Sequence, residues 1–235
     1  MRYGKVRWEK MDPLSKFESQ VALPWQFWKL GFWWVSDFMV IGRRRNELIN
    51  GEGIFPLPDF VCIGAQKSGT SSLYKYITDH PEISRTKKKE LHYFDLNFDK
   101  GKNWYLSHFQ DNDNLTGEAS PYYIFHPHVF RRIKNEFPDV KLIVLLRNPA
   151  DRAISHYYHN INKKREPLSI QHAFYFEKAR LEKEFNEMLE DEHYNSYIYQ
   201  HYSYKKRGIY FEQLQNYFDL FNRKQLFTIQ SEKLF

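Results

Sequence analysis

The sequence predicts an α/β fold with a central parallel β-sheet flanked by helices. Three observations carry that expectation. Lys141-Leu142-Ile143-Val144-Leu145-Leu146 is a continuous apolar run, as a strand covered on both faces requires. Phe60-Val61-Cys62-Ile63 is a second short apolar run, bounded by Gly64. Each is followed by a segment with helical spacing, and strands alternating with helices argue for a largely parallel sheet.

The elements follow in chain order. Residues 1–55 are expected to form an aromatic-rich extension and linker, and residues 56–235 the domain proper. Trp25, Trp28, Trp33 and Trp34 crowd into ten residues with Phe27 and Phe32; Phe38 and Arg43-Arg44-Arg45 follow. Trp25, Trp28, Phe32, Val35 and Met39 share helical spacing. The segment suits either a helix docked on the body or peripheral membrane contact through residues 25–45. A cytoplasmic location is expected, membrane-associated in the second case. Gly51-Glu52-Gly53 and Pro56-Leu57-Pro58 read as a linker. Ser71 to Thr78 reads as a helix that His80-Pro81 stops. Asp151 to Asn160 is a helix opened by Asn148-Pro149. Leu168 to about Glu192 reads as one amphipathic helix turning Phe174, Leu181, Phe185 and Met188 inward. Phe211 to Phe221 is a helix and Gln225 to Gln230 a strand.

Composition narrows the function. With 235 residues, 42% of them hydrophobic and 18% aromatic, the chain can build a packed core, which excludes a mostly disordered protein. Cys62 is the only cysteine, which excludes a disulfide framework and a cysteine-based zinc site. A net charge of +6 favours an anionic partner. No run of about 18 uncharged apolar residues is present, and the first residues do not read as a secretory signal. His108, His126 and His128 read as surface or core histidines, so no metal is expected.

The chemistry lies in Phe60 to Ile77. There a strand runs through Gly64-Ala65-Gln66-Lys67-Ser68-Gly69-Thr70-Ser71-Ser72 into a helix. Glycines permit close backbone approach, the helix start offers unpaired N–H groups, Lys67 adds a cation, and Ser68, Thr70, Ser71 and Ser72 add hydroxyls. Together they form a phosphate cradle. It departs from the nucleoside-triphosphatase loop, because Lys67 precedes Gly69 instead of following it. The strand at Lys141–Leu146 ends in Arg147, where a magnesium site would need an acid. Arg147 and Ser155, about two helical turns further on, are the second set of candidate anion ligands.

The loop Gly64–Ser72, the block Lys89-Glu90-Leu91-His92-Tyr93-Phe94, the block Gly117-Glu118-Ala119-Ser120-Pro121-Tyr122-Tyr123, and Arg147-Asn148-Pro149 with Ser155 together resemble a sulfotransferase. The likeness is to bacterial sulfotransferase-domain proteins related to the heparan sulfate sulfotransferases, and it runs from about Leu57 to the end of the chain. It implies a P-loop nucleotide-kinase-like fold. It also implies transfer of a sulfuryl group from 3′-phosphoadenosine 5′-phosphosulfate to an acceptor hydroxyl or amine, on a carbohydrate, a lipid or a small molecule. By the resemblance, Lys67, Ser68, Gly69, Thr70, Ser71 and Ser72 hold the 5′-phosphosulfate, and Arg147 and Ser155 the 3′-phosphate. Glu90 is the expected catalytic base, with His92 the alternative, and Lys67 stabilises charge on the bridging oxygen. The expected partners are the donor nucleotide and an acceptor, with no nucleic acid.

The pattern departs from the glycan enzymes at Ala119, where a lysine is common, which weakens the inference of an acidic glycan acceptor. The resemblance also implies a further segment beyond Gln225–Gln230, so a fragment, a truncated product and a variant with a weaker nucleotide site all stay open. Two rival readings remain: a Mg-dependent phosphoryl-transfer enzyme, and an inactive nucleotide-binding remnant. Arg207-Gly208-Ile209-Tyr210, at a helix start, reads as structural or lining the acceptor cleft, and Tyr122 and Tyr123 as cleft walls.

Overall fold

The computed structural model describes residues 46–48, 54–110 and 114–234. The readings for residues 25–45 and Gly51–Gly53 lie outside these residues. Seven strands are described: β1 (Asn46–Leu48), β2 (Ile54–Pro56), β3 (Phe60–Gly64), β4 (Ile83–Ser84), β5 (Leu115–Ala119), β6 (Lys141–Leu146) and β7 (Leu226–Gln230). The last five form one parallel sheet in the order β4-β5-β3-β6-β7, while β1 and β2 pair antiparallel. Nine α-helices are described: α1 (Thr70–Thr78), α2 (Tyr93–Leu96), α3 (Gly101–Leu106), α4 (Val129–Glu136), α5 (Pro149–Asn162), α6 (Ile170–Tyr175), α7 (Glu177–Glu190), α8 (Tyr197–Tyr202) and α9 (Tyr210–Leu220).

The apolar runs explain the layering. Successive strand side chains point to opposite faces. Phe60 and Cys62 of β3 join Ile143 and Leu145 of β6 under Leu73, Tyr74 and Ile77 of α1. Val61 and Ile63 join Leu142 and Val144 on the opposite face, against Phe94, Ile133 and Tyr217. Both faces are covered, which is why these strands carry no polar alternation. Burying each large side chain contributes about 1.5–3 kcal/mol. The central pair β3–β6 therefore holds the carboxyl ends of two strands side by side.

Two expectations change, and one strand has no counterpart among them. Pro56, read as linker, ends β2. The helix expected over Leu168–Glu192 breaks at Phe176 into α6 and α7. Ala173 and Phe174 pack on Tyr157 and Tyr204, whereas Leu181 and Met188 pack on the main core, so the two halves serve different targets. The strand without a counterpart is β5, on Leu115-Thr116-Gly117-Glu118-Ala119, which has no apolar pattern to mark it. Its glycine is required by close approach: a Cβ at Gly117 would stand 2.3 Å from the Phe60 carbonyl oxygen.

Gly117→Ala is accordingly expected to destabilise the fold by about 2–3 kcal/mol through backbone displacement between β3 and β5, measured by denaturant unfolding.

Candidate functional site

The first loop leaves β3 at Gly64. Ala65 N–H donates to the Leu145 carbonyl at 2.8 Å, tying the loop to β6. Lys67 and Gly69 then take left-handed backbone angles, φ 70° and 95°, and Gly69 becomes the N-cap of α1. Such angles cost a lysine about 1 kcal/mol or more and are typical of binding loops. They turn the chain so that the helix start, whose first N–H groups have no intrahelical partner, faces the carboxyl edge of the sheet. Ser68 and Thr70 are buried, Ser72 is half-buried and Ser71 is exposed.

The second loop follows β6. Arg147 Nη1 donates to the Lys67 carbonyl at 3.2 Å. Burial, and next the Arg147 charge, lower the Lys67 pKa below that of an ordinary lysine. Two cationic side chains thus meet at adjacent strand ends, and a bound anion would relieve their repulsion. Asn148 caps α5 by accepting from Ala150 N–H at 2.9 Å and Asp151 N–H at 3.3 Å, with Pro149 in the first turn. Four residues apart on α5, Ser155 and His159 share one half-buried face. Burial and then the charge of Lys67 lower the pKa of His159, and Glu90 acts on it in the opposite sense. His159 thus lies within electrostatic range of Lys67 and Glu90. Sequence reasoning missed it, although its spacing from Ser155 was a usable signal.

The Lys89–Phe94 block meets the first loop directly. Lys89 Nζ donates to Ser71 Oγ at 2.5 Å and lies 3.3 Å from Glu90 Oε1. Glu90 and His92 both have left-handed backbones, φ 53° and 51°. His92 stands between two carboxylates, with Nδ1 2.8 Å from Asp95 Oδ2 and Nε2 3.9 Å from Glu90 Oε2. Burial would lower its pKa, but Asp95 and Glu90 prevail and lift it to about 10. His92 is therefore a cation at neutral pH. In return His92 holds the Glu90 pKa below the usual carboxylate range, against burial, and Lys89 adds to the effect.

Beneath this block lies a network that the sequence did not announce. Glu118 is fully buried, and its carboxylate accepts from Tyr123 Oη at 2.6 Å and Ser120 Oγ at 2.8 Å. Those hydroxyls in turn accept the backbone N–H groups of Tyr93 at 2.8 Å and His92 at 3.0 Å. Burial raises the Glu118 pKa to about 7. Tyr122 and Tyr123 are 3% and 0% exposed, so they support the site from the core and do not wall a cleft. Arg207 is fully buried as well and does not line an acceptor cleft. His126 and His128 are core residues and His108 is half-buried. Among the described residues no three His, Cys, Asp or Glu side chains form a metal-binding group. No described helix is long and apolar enough to cross a membrane.

The Sulfotransferase domain profile matches residues 57–235. A crystal structure of a sulfotransferase from Alicyclobacillus acidocaldarius superposes with a TM-score of 0.64 at 31% identity, covering 76% of this chain and 74% of that one. The membrane-associated sulfotransferase kil1 of Dictyostelium discoideum is 38% identical over 140 residues, 56% of this chain and 30% of that protein. Human heparan sulfate glucosamine 3-O-sulfotransferase 6 is 36% identical over 124 residues, 52% of this chain and 36% of that protein. The chain thus spans about a third of the length of these two relatives.

His92 also sets a pH dependence. Its folded pKa of about 10 lies above its ordinary value of 6.5, so its contribution is complete below about pH 6.5 and is lost as pH rises toward 10. Unfolding free energy should fall by about 4 kcal/mol between pH 6.5 and 10, and His92→Asn should flatten that slope.

Proposed function

Because the chain belongs to the sulfotransferase-domain family, we propose that it transfers a sulfuryl group from 3′-phosphoadenosine 5′-phosphosulfate to an acceptor hydroxyl or amine. The observation that carries this reading is the meeting of two cationic loops at the ends of β3 and β6, where Arg147 donates to the Lys67 carbonyl. A donor with phosphate groups at both ends of one ribose needs two such loops side by side. The fit is chemical as well. The α1 start supplies N–H donors, Lys67 supplies charge, and Ser155 with Arg147 supplies a second anion site. Neither strand end offers an acid in the place of a magnesium ligand, and Lys67 precedes Gly69, so Mg-dependent phosphoryl transfer is not favoured.

In the proposed reaction the acceptor oxygen or nitrogen attacks sulfur as the sulfur–oxygen bond to the 5′-phosphate breaks. The electron pair of that bond goes to the phosphate oxygen, leaving adenosine 3′,5′-bisphosphate, and Lys67 meets the growing negative charge. The acceptor proton passes to the Glu90 carboxylate, which is ionised and partly exposed. His92, already protonated, has no lone pair to offer as base. Its part in this reading is to orient Glu90. His159, whose pKa burial and the Lys67 charge lower, is a second candidate to hydrogen-bond the acceptor in this reading.

For the acceptor we favour a carbohydrate. Two features support it: the kinship to enzymes named for heparan sulfate, and the cations Lys163 and Arg165 near His159. Ala119, 2% exposed, supplies no charge where the glycan enzymes commonly carry a lysine.

Lys67→Ala should abolish the thermal stabilisation that adenosine 3′,5′-bisphosphate gives the wild type, a loss of about tenfold to hundredfold in affinity. Stabilisation of wild type only by ATP with magnesium would overturn the donor assignment. Glu90→Gln should keep bisphosphate affinity within about threefold while lowering transfer to N-desulfated heparan at least a hundredfold, followed by sulfate incorporation. Equal transfer by both proteins would remove Glu90 as base.

A further inference from the structure

Arg207, Gly208 and Tyr210 touch both donor loops, from a turn far away in sequence. Arg207 donates through Nη1 to Gln66 Oε1, beside Lys67, and through Nη2 to the Gln200 carbonyl at 2.7 Å. Its guanidinium carbon lies 4.9 Å from the centre of the Tyr122 ring and 4.8 Å from that of Phe125. One residue on, Gly208 packs so closely against Pro149 that a Cβ would stand 2.9 Å from the proline Cβ. Tyr210 Oη donates to the Arg147 carbonyl at 2.9 Å and lies beside the Ser68 hydroxyl. The turn itself is anchored. The buried Glu177 carboxylate accepts the N–H groups of Lys205 at 2.8 Å and Lys206 at 2.7 Å, and Gln213 Nε2 donates to the Arg207 carbonyl at 3.0 Å.

We propose that residues 207–210 form a brace that sets the spacing between the two phosphate-holding loops, with Arg207 and Tyr210 as positioning residues that do not themselves touch the ligand. A fully buried guanidinium is costly unless its donors and charge are used. Here it is used on the side chain next to Lys67 and on two aromatic faces. The pair of contacts is what a spacing device needs: one end on the first loop at Gln66, the other on the second at Arg147 and Pro149. The inference rests on the donor reading only for its ligand, since the contacts themselves are between residues of this chain.

The test compares two nucleotides that differ by one phosphate. Adenosine 3′,5′-bisphosphate spans both loops and AMP fills only the 5′ position. Calorimetric Kd values are measured for wild type, Tyr210→Phe, Gln66→Leu and Arg207→Lys, together with amide hydrogen exchange across residues 65–72 and 147–151 of the free proteins. The wild type should prefer the bisphosphate. In the variants that preference should shrink about tenfold while AMP affinity holds within about threefold, and both loops should exchange faster. Tyr210→Phe and Gln66→Leu keep the question answerable if Arg207→Lys does not fold. Equal losses for both nucleotides, or unchanged exchange in both loops, would overturn the brace. A wild type without preference for the bisphosphate would sink the donor reading instead, and faster exchange in the variants would still uphold the brace.

Discussion

The parallel pairing of β3 with β6 is the constraint on which the rest depends. It sets the carboxyl ends of two strands next to each other, and the chain leaves each end as a loop carrying a cation, Lys67 on one and Arg147 on the other. Like charges so placed repel, and the fold accepts that cost because both strands are locked by apolar side chains on both faces. Burial first, and the Arg147 charge second, depress the Lys67 pKa here. A ligand with an anionic group at each loop would convert the repulsion into binding energy, which links the sheet topology to the proposed chemistry.

A second layer holds the reactive groups. Glu118 carries no proposed chemical role, yet it organises Ser120 and Tyr123, and through them the backbone at His92 and Tyr93. Glu90 is thereby presented on a strained backbone that solvent-exposed side chains alone could not maintain. His92 completes the arrangement as a cation between Asp95 and Glu90. The turn at 207–210 and the Ser231–Glu232 turn work in the same way. Ser231 Oγ donates to the Ser68 carbonyl and Glu232 accepts the Asn148 N–H, so both donor loops are also stitched to the end of β7.

Much of the architecture was legible because hydrophobic periodicity is local. The strand at Lys141–Leu146 and the helices after both donor loops follow from apolar spacing and from the turn residues that bound them. The break at Phe176 was not legible, since it arises from two distant packing targets for one amphipathic segment. The short strand β5 was not legible either, because its residues are chosen for close approach to Phe60 and for the buried Glu118 network.

By itself, the sequence determined the parallel α/β class, and it pointed to the Gly64–Ser72 loop as an anion cradle and to Lys67 and Arg147 as its candidate cations. These are written in short-range patterns of apolar, glycine and cationic residues. Only the tertiary structure decided that Asp95 and Glu90 flank His92 and raise its pKa, that His159 lies within electrostatic range of Lys67 and Glu90, and that Tyr122, Tyr123 and Arg207 are buried supports. For His92 the outcome depends on left-handed backbone angles that bring two near neighbours to its ring, and for the others on burial and on groups brought together across many tens of residues; no local pattern records how far apart such groups stand once the chain has folded.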